Sequence, residues 1–468
     1  MDVRVSKVSM FEIDPYPGKP KILFIGHSQS THTHSWIDLL AGSEFNIRLF
    51  GVPTGFPPST WKIRTYVTID QPPGGLEPEF RQCFYPTPEE ELRRLKALKR
   101  NPKYWLFVLA REALGSRGSL FRMAWLHEAL ERASGGTGGL PRVFRSKPKA
   151  ESPEAWLAQI IQEWQPDIIQ TLGLDHAQGG FFYYGVRKSF WLEKYGKWVL
   201  QLRGGSDLTL NRHDHVMAAR ISEALKECDQ IISDNLQNIV YAEEMGVPRG
   251  KFADIVPIPG AGGIDVEALS SAWNAPPSRR ERLILWPKAY ESPWSKALPV
   301  LEAIRIAWER IRPCSIYMTA AVQDEVYQWF NTLPSEIKQH CKLTDRMPHK
   351  QIIDLMCRAR VLLIPSLVDG IPNSLWEAMA CGAFPIVSPL DTISALVAER
   401  RNVLFARNLY PEEIAEALVE AMSDDQLVNH ACSENLMLVK QMADRKCIRE
   451  KVINFYRETS HSPKSHGV

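Results

Sequence analysis

The chain has no run of about 20 apolar residues, the length that a membrane-spanning helix needs. Its first residues, MDVRVSKVSMFEIDPYPGKP, hold no apolar core of the kind a secretion signal carries. Cysteine is scarce: eight in 468 residues, and no Cys-x-x-Cys pair, which argues against a disulfide framework and for reduced thiols. An excess of one charge is also missing, since 56 Lys and Arg stand against 54 Asp and Glu. That balance argues against nucleic acid as the main partner. No Gly-x-Ser-x-Gly, Walker loop, His-Glu-x-x-His or Asp-x-Asp occurs, so the common hydrolase, NTPase and metal-site signatures are absent. A cytoplasmic protein is expected. Hydrophobic residues make up 44% of the chain, enough for the cores of two or three domains.

What is present is an alternation of short apolar runs and amphipathic stretches. KILFIG (21–26), NIRLF (46–50), DIIQT (167–171), WVLQL (198–202), QIIS (230–233) and IVPIPG (255–260) read as buried parallel strands. SAWNAPPSRRER (271–282) interrupts them with adjacent prolines and charge, as a linker would. RLILWP (282–287), SIYM (315–318), VLLIP (361–365), FPIV (384–387) and VLFA (403–406) follow. The helical patterns LPVLEAIRIAWERI, KQIIDLMCRA and PEEIAEALVEAM lie between these runs. Two β-α series predict an α/β chain of two doubly wound domains, 1–270 and 283–445, with a cleft between them as the binding site. A helix at 446–460 is expected to return to the first domain, and HSPKSHGV to form a disordered tail. Residues 53–150, with proline-rich loops, the charged helix PEEELRRLKALKR and aromatic helices further on, read as a helical insertion. Its helices either pack their own aromatics or serve an acceptor groove or a membrane surface.

The stretch VLLIPSLVDGIPNSLWEAMACGAFPIV carries the chemistry. It reads as strand, turn, helix, strand, with Pro372 in the first helical turn, Asn373 or Ser374 as cap, and Gly382 ending the helix near Cys381. The free N–H groups of a helix start favour an anion such as phosphate, so Gly370, Ile371, Pro372, Asn373 and Ser374 form a candidate phosphate mouth. Glu377 lies four residues beyond Asn373, about 6 Å along the axis. A carboxylate about 4 Å from a phosphate costs about 4 kcal/mol at surface-like dielectric, so Glu377 suits the vicinal hydroxyls of a ribose instead. The pattern describes a nucleoside diphosphate laid along the helix, with Asp369 facing the group on its distal phosphate.

The acid–Gly–x–Pro turn, the second acid eight residues after the first and the Ala-Met-Ala-x-Gly ending resemble the signature of retaining nucleotide-sugar glycosyltransferases of family 4. Other segments are similar in the same order: KILFIG…STHTHSWIDLLAG (21–42), PDIIQTLGLDHAQG (166–179), QLRGGSD (201–207), DQIISDN (229–235) and PIPGAGGID (257–265). The resemblance implies a GT-B fold of two Rossmann-like domains. It implies a nucleotide-sugar donor as substrate, with no separate cofactor and no metal. The acceptor would be a sugar, a lipid-linked molecule or another small molecule, with peripheral contact at the inner membrane face. Three departures stand out: Asp369 replaces the usual Glu, Pro287-Lys288 replaces Gly-Arg, and Ala297 replaces a glycine.

By the same resemblance Lys288 and Lys296 neutralise the diphosphate, and His176 contacts acceptor or sugar. Each also reads as an ordinary surface or core residue. His32 and His34, and His213 and His215, have metal-like spacing but no third ligand in a recognisable frame. Arg203 and Asp207 either shape the site or pair on a loop, and the Gly-rich SGGTGGLP lacks the preceding strand of a phosphate cradle. Two rivals remain: a nucleotide-sugar epimerase of the same fold, and a catalytically silent nucleotide-sugar-binding protein, which Asp369 and Pro287 suggest.

Overall fold

The computed structural model describes residues 11–52, 55–58, 60–69, 79–84, 142–145, 152–175 and 179–462. It divides into two compact units, residues 1–34 with 44–196, and residues 35–43 with 197–468. The composition shift at 271–282 lies inside the second unit, where Trp273 donates to the Ala380 carbonyl at 2.9 Å.

In the first unit, strands β1 (Lys21–Gly26), β2 (Asn46–Gly51), β3 (Arg64–Ile69), β4 (Glu79–Phe84), β5 (Arg142–Arg145) and β6 (Ile168–Thr171) lie in the order β5-β4-β3-β2-β1-β6. β6, β1, β2 and β3 run parallel, and β4 and β5 add an antiparallel edge. Ile22, Leu23, Phe24 and Ile25 are all fully buried, as expected of a central parallel strand covered on both faces. The helical reading of 53–150 is corrected here, because three of these strands fall inside that span. RTYVTI is β-branched and aromatic, a strand signal that proline-rich flanks obscured. The helices read at 88–100 and beyond, and SGGTGGLP, lie outside the described residues.

The second unit opens with the parallel pair β7 (Lys197–Leu202) and β8 (Gln230–Ser233). IVPIPG is not a strand. Pro257 and Pro259 have no N–H to give a ladder, and the segment is a loop in which Ile258 N–H reaches the Ser233 carbonyl at 2.9 Å. A six-stranded parallel sheet follows: β9 (Leu283–Trp286), β10 (Ser315–Met318), β11 (Cys341–Leu343), β12 (Val361–Ile364), β13 (Phe384–Val387) and β14 (Leu404–Phe405), in the order β11-β10-β9-β12-β13-β14. β11 has only three residues, none of them fully buried, and sequence reading passes over it.

Alternation along the strands builds two cores. Ile284 and Trp286 of β9 and Val361 and Leu363 of β12 face one side, where Val300, Leu301 and Ile304 of the Ala297–Ile311 helix meet Ile414 and Leu418 of the Pro411–Ser423 helix. Leu283, Leu285, Leu362 and Ile364 face the other side, under Leu375, Trp376 and Met379 of the Asn373–Cys381 helix. At about 25 cal/mol per Å², each fully buried aliphatic side chain here adds about 1.5–3 kcal/mol. The Arg445–His461 helix closes the unit: Trp36 Nε1 donates to Tyr456 Oη at 2.9 Å, and Arg445 donates to the Ser35 carbonyl at 2.8 Å. Residues 463–468 lie outside the described residues. No helix of the described residues is long and apolar enough to cross a membrane.

The strand order positions the site. From β9 the chain adds β10 and β11 on one side, then returns to lay β12 parallel on the other, so the order of strand addition reverses between β9 and β12. Open α/β sheets bind ligands outside the strand C-termini at such a reversal. Pro287-Lys288 leaves β9 there, and SLVDGIP leaves β12.

Candidate functional site

Lys288 and Asp369 meet at this reversal. Lys288 Nζ lies 2.6 Å from Asp369 Oδ2, with 22% of each side chain exposed. Burial works against the charge on Lys288, but Asp369 and the Tyr290 phenol together hold its pKa above the ordinary value. Burial likewise raises the Tyr290 hydroxyl, partly offset by the Lys288 charge. The Asp369 carbonyl accepts the Thr392 hydroxyl at 2.9 Å, which pins the turn.

The helix after the turn spans Asn373–Cys381, with Gly382 left-handed at φ 73° after it, as expected. Its start differs by one residue from the sequence reading. Pro372 is the N-cap, with extended backbone, and makes no side-chain cap bond. Proline's locked φ suits this junction, and it leaves the helix start without a side-chain cap. Among the described residues Ser374 Oγ, shielded from solvent, has no hydrogen-bond partner. A buried polar atom without a partner costs about 1–3 kcal/mol, which an incoming oxygen ligand would relieve. Glu377, one turn in, is mostly covered and accepts His349 Nε2 at 2.7 Å. That hydrogen bond raises the His349 pKa, against a smaller opposing effect of burial. The second oxygen of Glu377 carries no hydrogen bond among the described residues.

Lys296 stands apart from the first pair. It is the N-cap of the Ala297–Ile311 helix, and its Nζ lies 2.6 Å from Glu291 Oε1, while Glu291 Oε2 accepts the Ala297 N–H at 3.0 Å. Asn408 fixes the Lys296 backbone, accepting its N–H at 2.8 Å. The two lysines therefore answer to different carboxylates. His176 lies outside the described residues.

The QLRGGSD segment after β7 reaches the same turn. A Cβ on Gly205 would lie 2.2 Å from Val368 Cγ1 and 2.7 Å from the Asp369 nitrogen, so only glycine admits this approach. Arg203 N–H donates to Asp207 Oδ2 at 2.8 Å, and its guanidinium donates to Gln201 Oε1 at 3.0 Å. Burial lowers the Arg203 pKa to about 10, opposed by Asp207, Asp234 and Tyr456. Two groups here escaped sequence reasoning: His349, and Asp234 at the end of β8. An Asp-Asn directly after a buried strand was the available signal for Asp234. The histidine pairs read as metal-like have other settings: His34 stacks on Trp61 at 4.4 Å, and His213 and His215 flank Asp214, which caps the His215–Glu227 helix. Among the described residues no three His, Cys, Asp or Glu groups cluster to hold a metal.

Residues 284–424 match the family model described as Glycosyl transferases group 1. The match spans β9 to the end of the Pro411–Ser423 helix and contains every residue of the Lys288–Asp369–Glu377 constellation. Among solved structures, Anabaena HepE in complex with UDP-glucose is similar at TM-score 0.60 and 12% identity, covering 94% of this chain and 99% of that one. Sucrose-phosphate synthase of Thermosynechococcus elongatus is similar at 0.56 and 12%, covering 94% and 99%. A Listeria monocytogenes protein described as a UDP-N-acetylglucosamine 2-epimerase is similar at 0.55 and 9%, covering 96% and 99%. The fold is GT-B, with two Rossmann-like domains. No curated protein is a significant match in sequence. The group 1 match supports glycosyl transfer as the class of activity.

Proposed function

We propose that the chain is a retaining, metal-independent glycosyltransferase of family 4 that moves a sugar from a nucleotide-diphosphate donor to an acceptor hydroxyl. One observation carries this reading. A lysine–acid pair, a helix mouth capped only by proline and an acid one turn inside that helix meet at one reversal of the strand order, Lys288 leaving β9 and Asp369, the helix mouth and Glu377 following β12. In the proposal Lys288, Lys296 and the helix start from Gly370 to Ser374 take the diphosphate. Glu377 takes the ribose hydroxyls, and Asp369 and His176 face the sugar. Binding exchanges the pairings of the free protein: Lys288 leaves Asp369 for phosphate, and His349 yields Glu377 to ribose.

The reaction then proceeds on one face of the sugar. The bond from the anomeric carbon to the phosphate oxygen breaks, the acceptor oxygen bonds to that carbon, and the leaving phosphate takes the acceptor proton. No protein nucleophile is needed, so rate comes from positioning and from cations held where negative charge develops. UDP-glucose, and UDP with glucose, bound to HepE support a donor of this class. We assign acceptor binding to residues 1–270 and donor binding to 283–445, with the helix near 446–460 returning to the first. The acceptor is a sugar, a lipid-linked molecule or another small molecule of glycan, polysaccharide or glycolipid synthesis. The setting is cytoplasmic, with peripheral contact at the inner membrane face.

The epimerase reading has a basis in the fold shared with the Listeria protein. Incubation with UDP-, GDP- and ADP-sugars, with and without candidate acceptors, separates the readings. The proposal expects nucleoside diphosphate to be released as acceptor is glycosylated with its donor's anomeric configuration. Conversion of the donor to an isomer without acceptor points to the epimerase, and binding without turnover points to the silent protein.

A further inference from the structure

Asp234 follows β8 and is buried, with 6% of its surface exposed. Its Oδ2 accepts the Gly204 N–H at 3.2 Å, and its Oδ1 accepts Asn235 Nδ2 at 2.7 Å. A Cβ on Gly370 would lie 2.5 Å from Asp234 Oδ2 and 2.8 Å from the Gly204 Cα. One at Gly260 would come no nearer to Oδ2 than 3.9 Å, an ordinary contact. The Gly204-Gly205 backbone and the Asp369-Gly370-Ile371 turn thus lie against each other at Asp234, which accepts the Gly204 N–H and closely abuts Gly370.

We propose that Asp234 is a positioning residue for the donor's sugar end, holding the Asp369 turn on the Gly204-Gly205 loop and turning the Asp369 carboxylate towards Lys288. The inference rests on the donor reading of Lys288, Asp369 and Glu377. Among the described residues the charged groups coupled to Asp234 are Arg203 and Asp369, and Asp369 in turn pairs with Lys288. Two carboxylates side by side repel, so a fixed charge on Asp234 drives Asp369 away from it and onto the ammonium. Burial raises the Asp234 pKa to about 6, its backbone and Asn235 hydrogen bonds opposing and Asp369 reinforcing the rise. An asparagine there has one oxygen and one NH2. It cannot accept from the Gly204 N–H at one position and from Asn235 at the other.

The test compares Asp234→Asn with the wild-type chain, using UDP, GDP and ADP and then the tightest-binding member of a panel of their sugar conjugates. Calorimetry reads nucleoside diphosphate affinity, and released nucleoside diphosphate reads turnover from pH 5 to 8. The variant is expected to bind the bare nucleotide within about threefold of wild type and to lose about tenfold or more in turnover, the scale of a charge-assisted hydrogen bond. The wild-type profile should fall below about pH 6, and that limb should vanish in the variant. Unchanged turnover with an unchanged pH profile overturns the role of Asp234 alone. A wild-type chain that binds no nucleotide and consumes no donor overturns the donor reading and this role with it. If Asp234→Asn does not fold, Thr392→Val loosens the same turn by removing the hydroxyl bonded to the Asp369 carbonyl. The same selective loss of turnover is expected, and full turnover overturns the proposal.

Discussion

The Lys288–Asp369 pair provides a test whose sign is decisive. At 2.6 Å and an effective dielectric near 20, the attraction is about 6 kcal/mol before desolvation. Desolvation removes most of that. Breaking a buried pair costs about 3–5 kcal/mol and breaking an exposed one about 0–1. With 22% of each side chain exposed, a net value of about 2 kcal/mol lies between. In this account Lys288 must leave Asp369 to reach a phosphate. Asp369→Asn removes the competitor, so bare UDP should bind as tightly as before or up to about 30-fold tighter, the equivalent of about 2 kcal/mol. Lys288→Met removes the cation itself and should weaken UDP by about 1.5–3 kcal/mol, roughly 10- to 150-fold. Turnover should fall in both variants, in the first because the sugar contact is lost. Titration calorimetry with UDP on the three proteins is the assay. If Asp369→Asn weakens UDP as much as Lys288→Met does, Lys288 is not the phosphate cation and the exchange of partners fails.

Glu377→Ala should weaken nucleotide binding by about 1.5–3 kcal/mol, measured by calorimetry, and unchanged affinity refutes the ribose assignment. The His349 pKa is raised in the folded chain, so its bond to Glu377 is fully formed below the ordinary histidine value and is lost as pH rises through the raised one. UDP affinity should therefore fall from pH 8 to pH 6 in wild type and change less in His349→Ala; equal slopes would remove the competition between histidine and ribose. Turnover should persist in excess EDTA, and loss on chelation with recovery on adding a divalent ion would show a metal requirement. Lys296→Ala should cut turnover by ~2.7–4 kcal/mol, or ~100- to 1,000-fold, with a smaller effect on donor affinity. A change confined to the Michaelis constant makes Lys296 a uniform binder.

The second sheet was legible because its strands are unbroken apolar runs, LILW, VLLI and FPIV, bounded by proline, glycine or charge. The strand–turn–helix form of the stretch was legible because its pattern is local: Asp369 lies in the turn and Glu377 in the helix that follows it. IVPIPG misled because its alternation is apolar while its two prolines cannot serve a ladder. The strands Arg64–Ile69, Glu79–Phe84 and Arg142–Arg145 were hidden by long proline- and glycine-rich separations. Partners remote in sequence were not legible either. Lys288 and Asp369 are 81 residues apart, and His349 and Glu377 are 28 apart. Asp234 meets the Asp369 turn only because loops from different strands converge, and Gly204-Gly205 gains its meaning only from that approach.

The most direct test of the account is a crystal structure of the chain with UDP bound. It should show the diphosphate at the start of the Asn373–Cys381 helix, Lys288 turned from Asp369 to a phosphate oxygen, and both ribose hydroxyls on Glu377 with His349 displaced. UDP bound with its ribose away from Glu377, and Lys288 still on Asp369, would contradict it.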